Sequence, residues 1–225
     1  MSELMIFEPA ILKMLGEDIL TTLYMTLAST FLGYVLGLPM GVALVVTAKD
    51  GLRPNRVIYK VLDILANVVR SIPFLILLIL VIPLTRAIVG KSYGPTATVV
   101  PLTLAAAPFI ARMVESSLLE VEKGVIEAAQ SMGANLWTII TKVMIGEARI
   151  SLITGATIAL GTVLGYSAMA GAVGGGGLGD TAITYGYYRY ETDIMLVTVL
   201  LLILLVQIMQ WVGTKLARKL DRRAN

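Results

Sequence analysis

Two short runs in this 225-residue sequence have the form of phosphate-binding loops, and neither has the surroundings such loops need. Gly174, Gly176 and Gly179 fit the G-x-G-x-x-G spacing of dinucleotide sites. That spacing works only where a strand delivers the glycines to a helix N-terminus inside a βαβ unit. Here the run closes a long uncharged stretch, so it reads as a flexible turn or hinge. Gly90-Lys91-Ser92 copies the end of a P-loop, but the first glycine of that motif would fall on Thr85. A glycine-rich backbone that could cradle phosphates is therefore missing. Histidine and cysteine are absent, which removes imidazole acid–base catalysis, thiol chemistry, disulfides and the usual zinc sites. No catalytic residue, metal or cofactor is expected. Asp63, Arg70, Arg112 and Glu115 lie near or within apolar stretches, where charges are costly and often functional. All four fall toward stretch ends, where long side chains reach water. Structural pairing, Arg70 with Glu115, is expected rather than ion conduction.

The elements that must carry these residues are membrane spans. Hydrophobic residues make up 57% of the chain and charged residues 15%, with a mean hydropathy of +0.84. A soluble domain needs roughly 25% charged residues to cover itself, so the outer surface here faces lipid. Residues 19–48, 92–111, 150–179 and 194–214 carry no charge, and each is long enough for the roughly 20 apolar residues of a spanning helix. A fifth uncharged run, 71–85, reaches full length only with its flank from about residue 59. The expectation is an all-α membrane protein with five spans, at about 19–48, 59–85, 92–115, 150–173 and 194–214. Residues 1–18 then form an extracytoplasmic segment. They carry Glu3, Glu8, Glu17 and Asp18 and lack the basic start of a secretory leader.

Five spans put the termini on opposite sides. With the N-terminus outside, the cytoplasmic segments hold thirteen basic residues, among them Lys49, Arg53, Arg56, Lys60, Lys123, Lys142 and the tail 215–225. The outer segments hold four: Lys13, Arg86, Lys91 and Arg189. Basic residues accumulate on the cytoplasmic side, so the N-terminus is expected outside and the C-terminus inside. The pI near 9.1 reflects this asymmetry. No basic patch interleaves with aromatics, so nucleic acid is not an expected partner.

Within the spans, Gly33, Gly37 and Gly41 recur every four residues, and Gly161 and Gly165 repeat the spacing. Small residues so placed let helix backbones approach closely, within one chain first and between copies second. Pro39, Pro73, Pro83, Pro101 and Pro108 fall inside spans or at their ends. Each removes a backbone donor and favours a kink.

The segment 119–149 is too long for a simple connection, and long connections are usually functional. Val121, Val125, Ala128, Ala129 and Met132 share one side at helical spacing, with Glu120, Glu122, Lys123, Glu127 and Gln130 around the rest. Gly133 has the place of a C′ glycine, and Asn135 that of an N-cap for a second helix over 136–145. The spacing predicts a helix–turn–helix under the membrane. On the residues alone it either packs on its own bundle or fits a groove on another protein.

Glu127-Ala128-Ala129 followed by Gly133 resembles the EAA loop of ABC importer permeases. The family pattern continues downstream as Ile-x-Leu-Pro; here it is Val143-Met144-Ile145-Gly146, with glycine in place of proline. Arg70-Ser71-Ile72-Pro73-Phe74, the run 107–115, Gly165-Tyr166-Ser167-Ala168-Met169 and the glycines 174–179 are similar to the methionine-uptake branch. The resemblance extends over residues 22–210. It implies a type I importer fold with one transmembrane domain over 19–214, in the inner (cytoplasmic) membrane. It further implies that Glu127, Ala128, Ala129 and Gly133 couple to a cytoplasmic ATPase dimer, which binds the ATP this chain cannot. The other implied partners are a second copy of the chain and an extracytoplasmic binding protein that delivers the amino acid. The implied function is translocation of methionine, in the L form alone or in both L and D forms, by alternating access.

Ser71, Pro73, Tyr166, Ser167 and Met169 are the expected pathway or gate residues, because polar and soft side chains gather on a glycine-loosened helix; Met169 can fill a closed gate and move aside. Ordinary helix packing accounts for the same pattern, and both readings stand at this level. Another small amino acid or hydrophobic metabolite as cargo is the nearest alternative. An ATP-independent carrier or channel leaves the 119–149 segment without a purpose, and a membrane enzyme lacks the residues for chemistry.

Overall fold

The computed structural model describes residues 9–220; their regular elements are all helical, with no strand among them. Eleven α-helical pieces follow in order. They are α1 (Pro9–Thr47), α2 (Arg56–Ser71), α3 (Phe74–Leu80), α4 (Ile82–Val89), α5 (Pro95–Leu119), α6 (Lys123–Ser131), α7 (Leu136–Thr138), α8 (Ile145–Glu147), α9 (Arg149–Ala170), α10 (Leu178–Thr181) and α11 (Thr192–Leu220). Wider π-type turns join α7 to α8 (Ile139–Met144) and follow α10 (Ala182–Tyr188), and a 3₁₀ turn (Gly171–Val173) ends α9. Four stretches are long and apolar enough to cross a membrane: Pro9–Thr47, Pro95–Leu119, Arg149–Val173 and Thr192–Leu220. The bent pair α2 and α3 brings the count to five.

The run expected as the second span, about 59–85, is broken. Its helix stops at Ser71, restarts at Phe74 behind Pro73 and breaks again at Val81. A proline lacks an N–H and costs a helix least at its start, and both Pro73 and Pro83 stand at such starts. At the N-terminus, residues 9–18 are the first turns of α1; Glu3 and Glu8 lie outside the described residues, as do Arg222 and Arg223. Pro39 lies within α1, and Pro101 and Pro108 within α5.

The chain divides into two compact units. One comprises the chain up to residue 31 with 72–104 and 160–210; the other comprises 32–71, 105–159 and the chain from 211 onward. In the first unit, Thr22 on α1 accepts a hydrogen bond from the Leu178 amide at 3.0 Å, and Thr181 donates to the Asp18 carboxylate. These bonds fasten the glycine run to α1. The run turns at Gly174, Gly176 and Gly177, all at positive φ, and a Cβ on Gly177 would stand 2.6 Å from the Thr22 hydroxyl. A turn and not a nucleotide loop is what these glycines build.

In the second unit the first glycine stripe is packed inside the chain, as expected. A Cβ on Gly37 would stand 2.5 Å from the Ala107 carbonyl oxygen, and one on Gly41 equally close to that of Ala111. Gly165 in the second stripe meets nothing within 4 Å, and Gly161 only the Gln210 amide at 3.7 Å. That stripe is not a packed seam of the chain.

α2 is amphipathic, and its apolar side is exposed. Val57, Val61, Ile64, Leu65 and Val68 face outward, Ala66 is buried, and Asp63 and Asn67 bond to Arg112 on α5. There Arg112 pairs with Asp63, donates to Asn67 at 2.9 Å and pairs with Glu115 at 2.7 Å. The pairing expected between Arg70 and Glu115 is thus replaced: one arginine serves both carboxylates, and Arg70 is exposed. Three charges grouped in this way share one desolvation and complete each other's hydrogen bonds.

Two predictions follow from this packing. Gly37→Val lowers the thermal unfolding midpoint of the detergent-solubilised chain, an overpacking loss of about 1–3 kcal/mol, whereas Gly16→Ala, in open space, leaves it unchanged. Arg112→Met lowers the midpoint more than the triple variant Arg112→Met/Asp63→Asn/Glu115→Gln, because the single change strands two carboxylates while the triple removes the whole group.

Candidate functional site

Sequence and local geometry converge on the segment 119–149, all of which belongs to the second unit. α6 ends as a Schellman motif. The Gly133 amide donates to the Gln130 carbonyl at 2.9 Å and the Ala134 amide to that of Ala129 at 3.1 Å, with Gly133 at φ 79°. This closure needs a residue free to adopt positive φ. Two residues on, Asn135 caps α7, its side-chain oxygen accepting the Thr138 amide at 2.8 Å. Both caps were legible in the sequence. Because they follow each other directly, the turn between the helices has no slack.

The segment is held to the unit by its apolar side. Val121, Ala129, Ile139, Ile140 and Met144 are buried. Ser151 donates to Ser117 at 2.9 Å, which ties the start of α9 to the end of α5 on either side of the segment. Gly146 meets nothing within 4 Å and the helix runs on through it to Glu147, so glycine in place of the family's proline extends the second helix by two residues beyond Ile145.

The opposite side is open. Glu127, Ala128 and Gly133 are exposed and Ala129 is buried. Of the four residues singled out in the sequence, three are exposed and one packs under the helix. Met132, which the spacing put on one side with Ala129, is instead 81% exposed, because the helix ends before it at Ser131; Trp137, which sequence reasoning did not single out, is 74% exposed on the other side of the locked turn. A tryptophan just inside a capped helix of a polar segment was the available signal. Beside them opens a cleft of about 1070 Å³ between α6 and the α1–α2 connection, lined by Lys49, Asp50, Asn55, Arg56, Lys123 and Glu127 among others. Its far wall is rigid too. Asn55 caps α2 through the Val57 and Ile58 amides, and a Cβ on Gly51 would stand 2.3 Å from the Val45 carbonyl oxygen.

The expected pathway residues divide between the two units. In the first unit, Pro73 opens α3, and the next residue, Phe74, stacks on Tyr166 with ring centroids 4.7 Å apart and planes 7° from parallel. Ser167 is buried and its hydroxyl donates to the Leu164 carbonyl at 2.8 Å, on its own helix. Met169, on the same helix, is half exposed. Ser71 ends α2 in the second unit and donates to the Asn67 carbonyl at 2.7 Å. The Phe74–Tyr166 stack was not foreseen; no spacing rule links residues so far apart in sequence.

The family model described as "Binding-protein-dependent transport system inner membrane component" matches residues 33–222. The probable D-methionine transport system permease protein MetI of Vibrio cholerae is 52% identical over 202 residues, covering 90% of each chain. The D-methionine transport system permease protein MetI of Escherichia coli K12 is 50% identical over 158 residues, 70% of this chain and 73% of the other. A solved inward-facing structure of the MetNI methionine ABC transporter contains a chain with 46% identity and a TM-score of 0.94, over 96% of this chain and 100% of that one. An amino acid ABC transporter at 21% identity and a TM-score of 0.70 shares the fold. With the family pattern running through both the glycine-packed spans and the capped segment beneath them, this chain belongs to the binding-protein-dependent transport system inner membrane components.

Proposed function

We propose that this chain is the permease subunit of an ATP-driven importer of methionine, D-methionine included, working as a homodimer with a separate ATPase dimer and an extracytoplasmic binding protein. The observation that carries the coupling role is the locked turn between α6 and α7, with Glu127, Met132 and Trp137 exposed around it. A coupling element must move as a rigid body, since slack in it would absorb the motion it transmits. Two consecutive caps give that stiffness, and the exposed tryptophan and methionine give a partner the large apolar anchors that dominate protein interfaces. Near full-length similarity to permeases named for D-methionine supports the cargo.

The orientation proposed with this function is N-terminus outside and C-terminus inside, on the basic residues of the 49–60, 123–149 and 215–225 segments. It places the 119–149 segment and the cleft beside it in the cytoplasm, where ATP is available. ATP hydrolysis belongs to the separate subunit, because neither glycine motif of this chain builds a phosphate cradle. Alternating access follows if ATP binding favours one arrangement of the spans over the other; a ligand that binds both arrangements equally shifts nothing. Similarity to inward-facing chains supports reading this conformation as the one open to the cytoplasm.

The test is uptake of labelled D-methionine into proteoliposomes holding the permease, its ATPase and the binding protein, with ATP on the ATPase side. Wild type accumulates substrate, and excess unlabelled L-methionine competes. Gly133→Trp and Glu127→Lys lose co-purification of the ATPase and at least tenfold of uptake. Trp137→Ala weakens ATPase retention by roughly tenfold, the scale of one anchor residue. Equal retention of the ATPase by Gly133→Trp and wild type would sink the coupling assignment.

A further inference from the structure

The cleft beside the coupling segment, about 1070 Å³ between α6 and the α1–α2 connection, is lined by three cations and two carboxylates. Lys49, Arg56 and Lys123 stand against Asp50 and Glu127, so the lining carries one positive charge in excess. All five are exposed, and among the described residues none of them makes an ion pair. Glu127 has a part in the coupling role; the three cations have none.

The cleft is preformed and lies wholly in the second unit. The Arg53 amide donates to the Val46 carbonyl and the Asn55 amide to that of Thr47, both at 2.9 Å. These bonds fold the connection back on the end of α1, and the Asn55 cap fixes the direction in which α2 leaves. Between the charges the lining is apolar. Leu52, Tyr59 and Ile126 are half-buried there, and Leu119 is 64% exposed.

From the residue after Arg56 an apolar stripe runs along α2: Val57, Val61, Leu65 and Val68 are all exposed. Between Val57 and Val68 the helix rises about 16 Å, close to half of the roughly 30 Å hydrocarbon core. The stripe is thus as long as one leaflet, which is the reach of one acyl chain.

We propose that the cleft holds the headgroup of an anionic phospholipid, phosphatidylglycerol in kind, with its chains laid along α2. The inference rests on the membrane placement of α2 and on nothing in the transport reading. A phosphodiester carries one negative charge, which balances the excess in the cleft, and its oxygens bridge cations that no carboxylate has taken. The glycerol hydroxyls donate to Asp50 and Glu127. A choline headgroup cancels its own phosphate and leaves the excess in place. An acidic loop of a soluble protein meets the same cations but has nothing to lay on the stripe inside the bilayer. Basic pockets beside spanning helices are where anionic headgroups gather.

The test is native mass spectrometry of the permease–ATPase complex in detergent, titrated with dioleoyl phosphatidylglycerol. Wild type retains two molecules per homodimer, one in each cleft. Neither a tenfold excess of dioleoyl phosphatidylcholine nor glycerol phosphate at the same concentration displaces them. In Lys49→Gln/Arg56→Gln/Lys123→Gln the half-saturating lipid concentration rises at least tenfold. In Lys13→Gln/Arg86→Gln/Lys91→Gln, which loses the same charge elsewhere, it is unchanged. If the first variant does not assemble, Arg56→Gln alone shifts half-saturation at least threefold. Half-saturation unchanged by the cleft variants overturns the site, and so does displacement by phosphatidylcholine. Displacement by glycerol phosphate shows a site for a free phosphate ester and overturns the lipid. Loss of the ATPase from the cleft variant, with lipid retention as in wild type, gives the cleft to the ATPase. A Val61→Gln/Leu65→Gln variant that separates into single permeases and still retains lipid gives the stripe to the second copy. Either result overturns the proposal.

Discussion

A bilayer offers a backbone amide no hydrogen-bond partner, so each departure from helix inside it has to be answered from within the protein. This chain departs repeatedly, and the places where it does so are the places where its parts are specified. The glycine run after α9 leaves helical geometry at Gly174, Gly176 and Gly177, and the Leu178 amide beyond it is taken by the Thr22 hydroxyl. Behind α2 the chain restarts at Pro73, which has no amide to leave unpaired. Where the helix stays regular, at Gly37 and Gly41, the same constraint appears as contact: backbone carbonyls of α5 come so near that no side chain fits between.

Charge is handled by the same economy. Asp63 and Glu115 lie near apolar stretches and neither is left alone, since both share Arg112. On the same helix as Asp63, Val57, Val61, Ile64, Leu65 and Val68 are exposed, the reverse of a soluble amphipathic helix, whose apolar side is covered. In lipid the reversal is the rule expected for a helix whose surroundings are as apolar as leucine. It also explains why α2, with Arg56, Lys60, Asp63 and Arg70 along it, does not read as a span by hydropathy alone.

What the sequence made legible was local chemistry. Gly133 and Asn135 announced the two caps, and the structure has both. The four-residue glycine spacing announced a close helix contact, and the first stripe makes one within the chain. What it hid lay between helices. Arg112 and Glu115 stand three apart on one helix, a spacing that pairs side chains and that favours Arg112 over Arg70; only the third member, Asp63 on α2, needed the approach of α2 to α5. Nor could periodicity find the break at Ser71. The proline that splits residues 59–85 was equally consistent with a kink inside one helix.

The stiffness of the α6–α7 turn has a consequence for how work passes through such a chain. Its two caps are formed from its own backbone and from Asn135, so its shape does not depend on a partner being present. Its buried side, through Ala129, Ile139, Ile140 and Met144, is part of the same unit as the glycine-packed halves of α1 and α5. A force on the exposed Met132 and Trp137 therefore reaches the Gly37 and Gly41 contacts without crossing a flexible joint. Those contacts resist deformation because carbonyl oxygens and Cα atoms already touch. The unit then responds to a push on that turn by moving whole, and the breaks at Pro73, Val81 and the glycines after α9 all lie outside it.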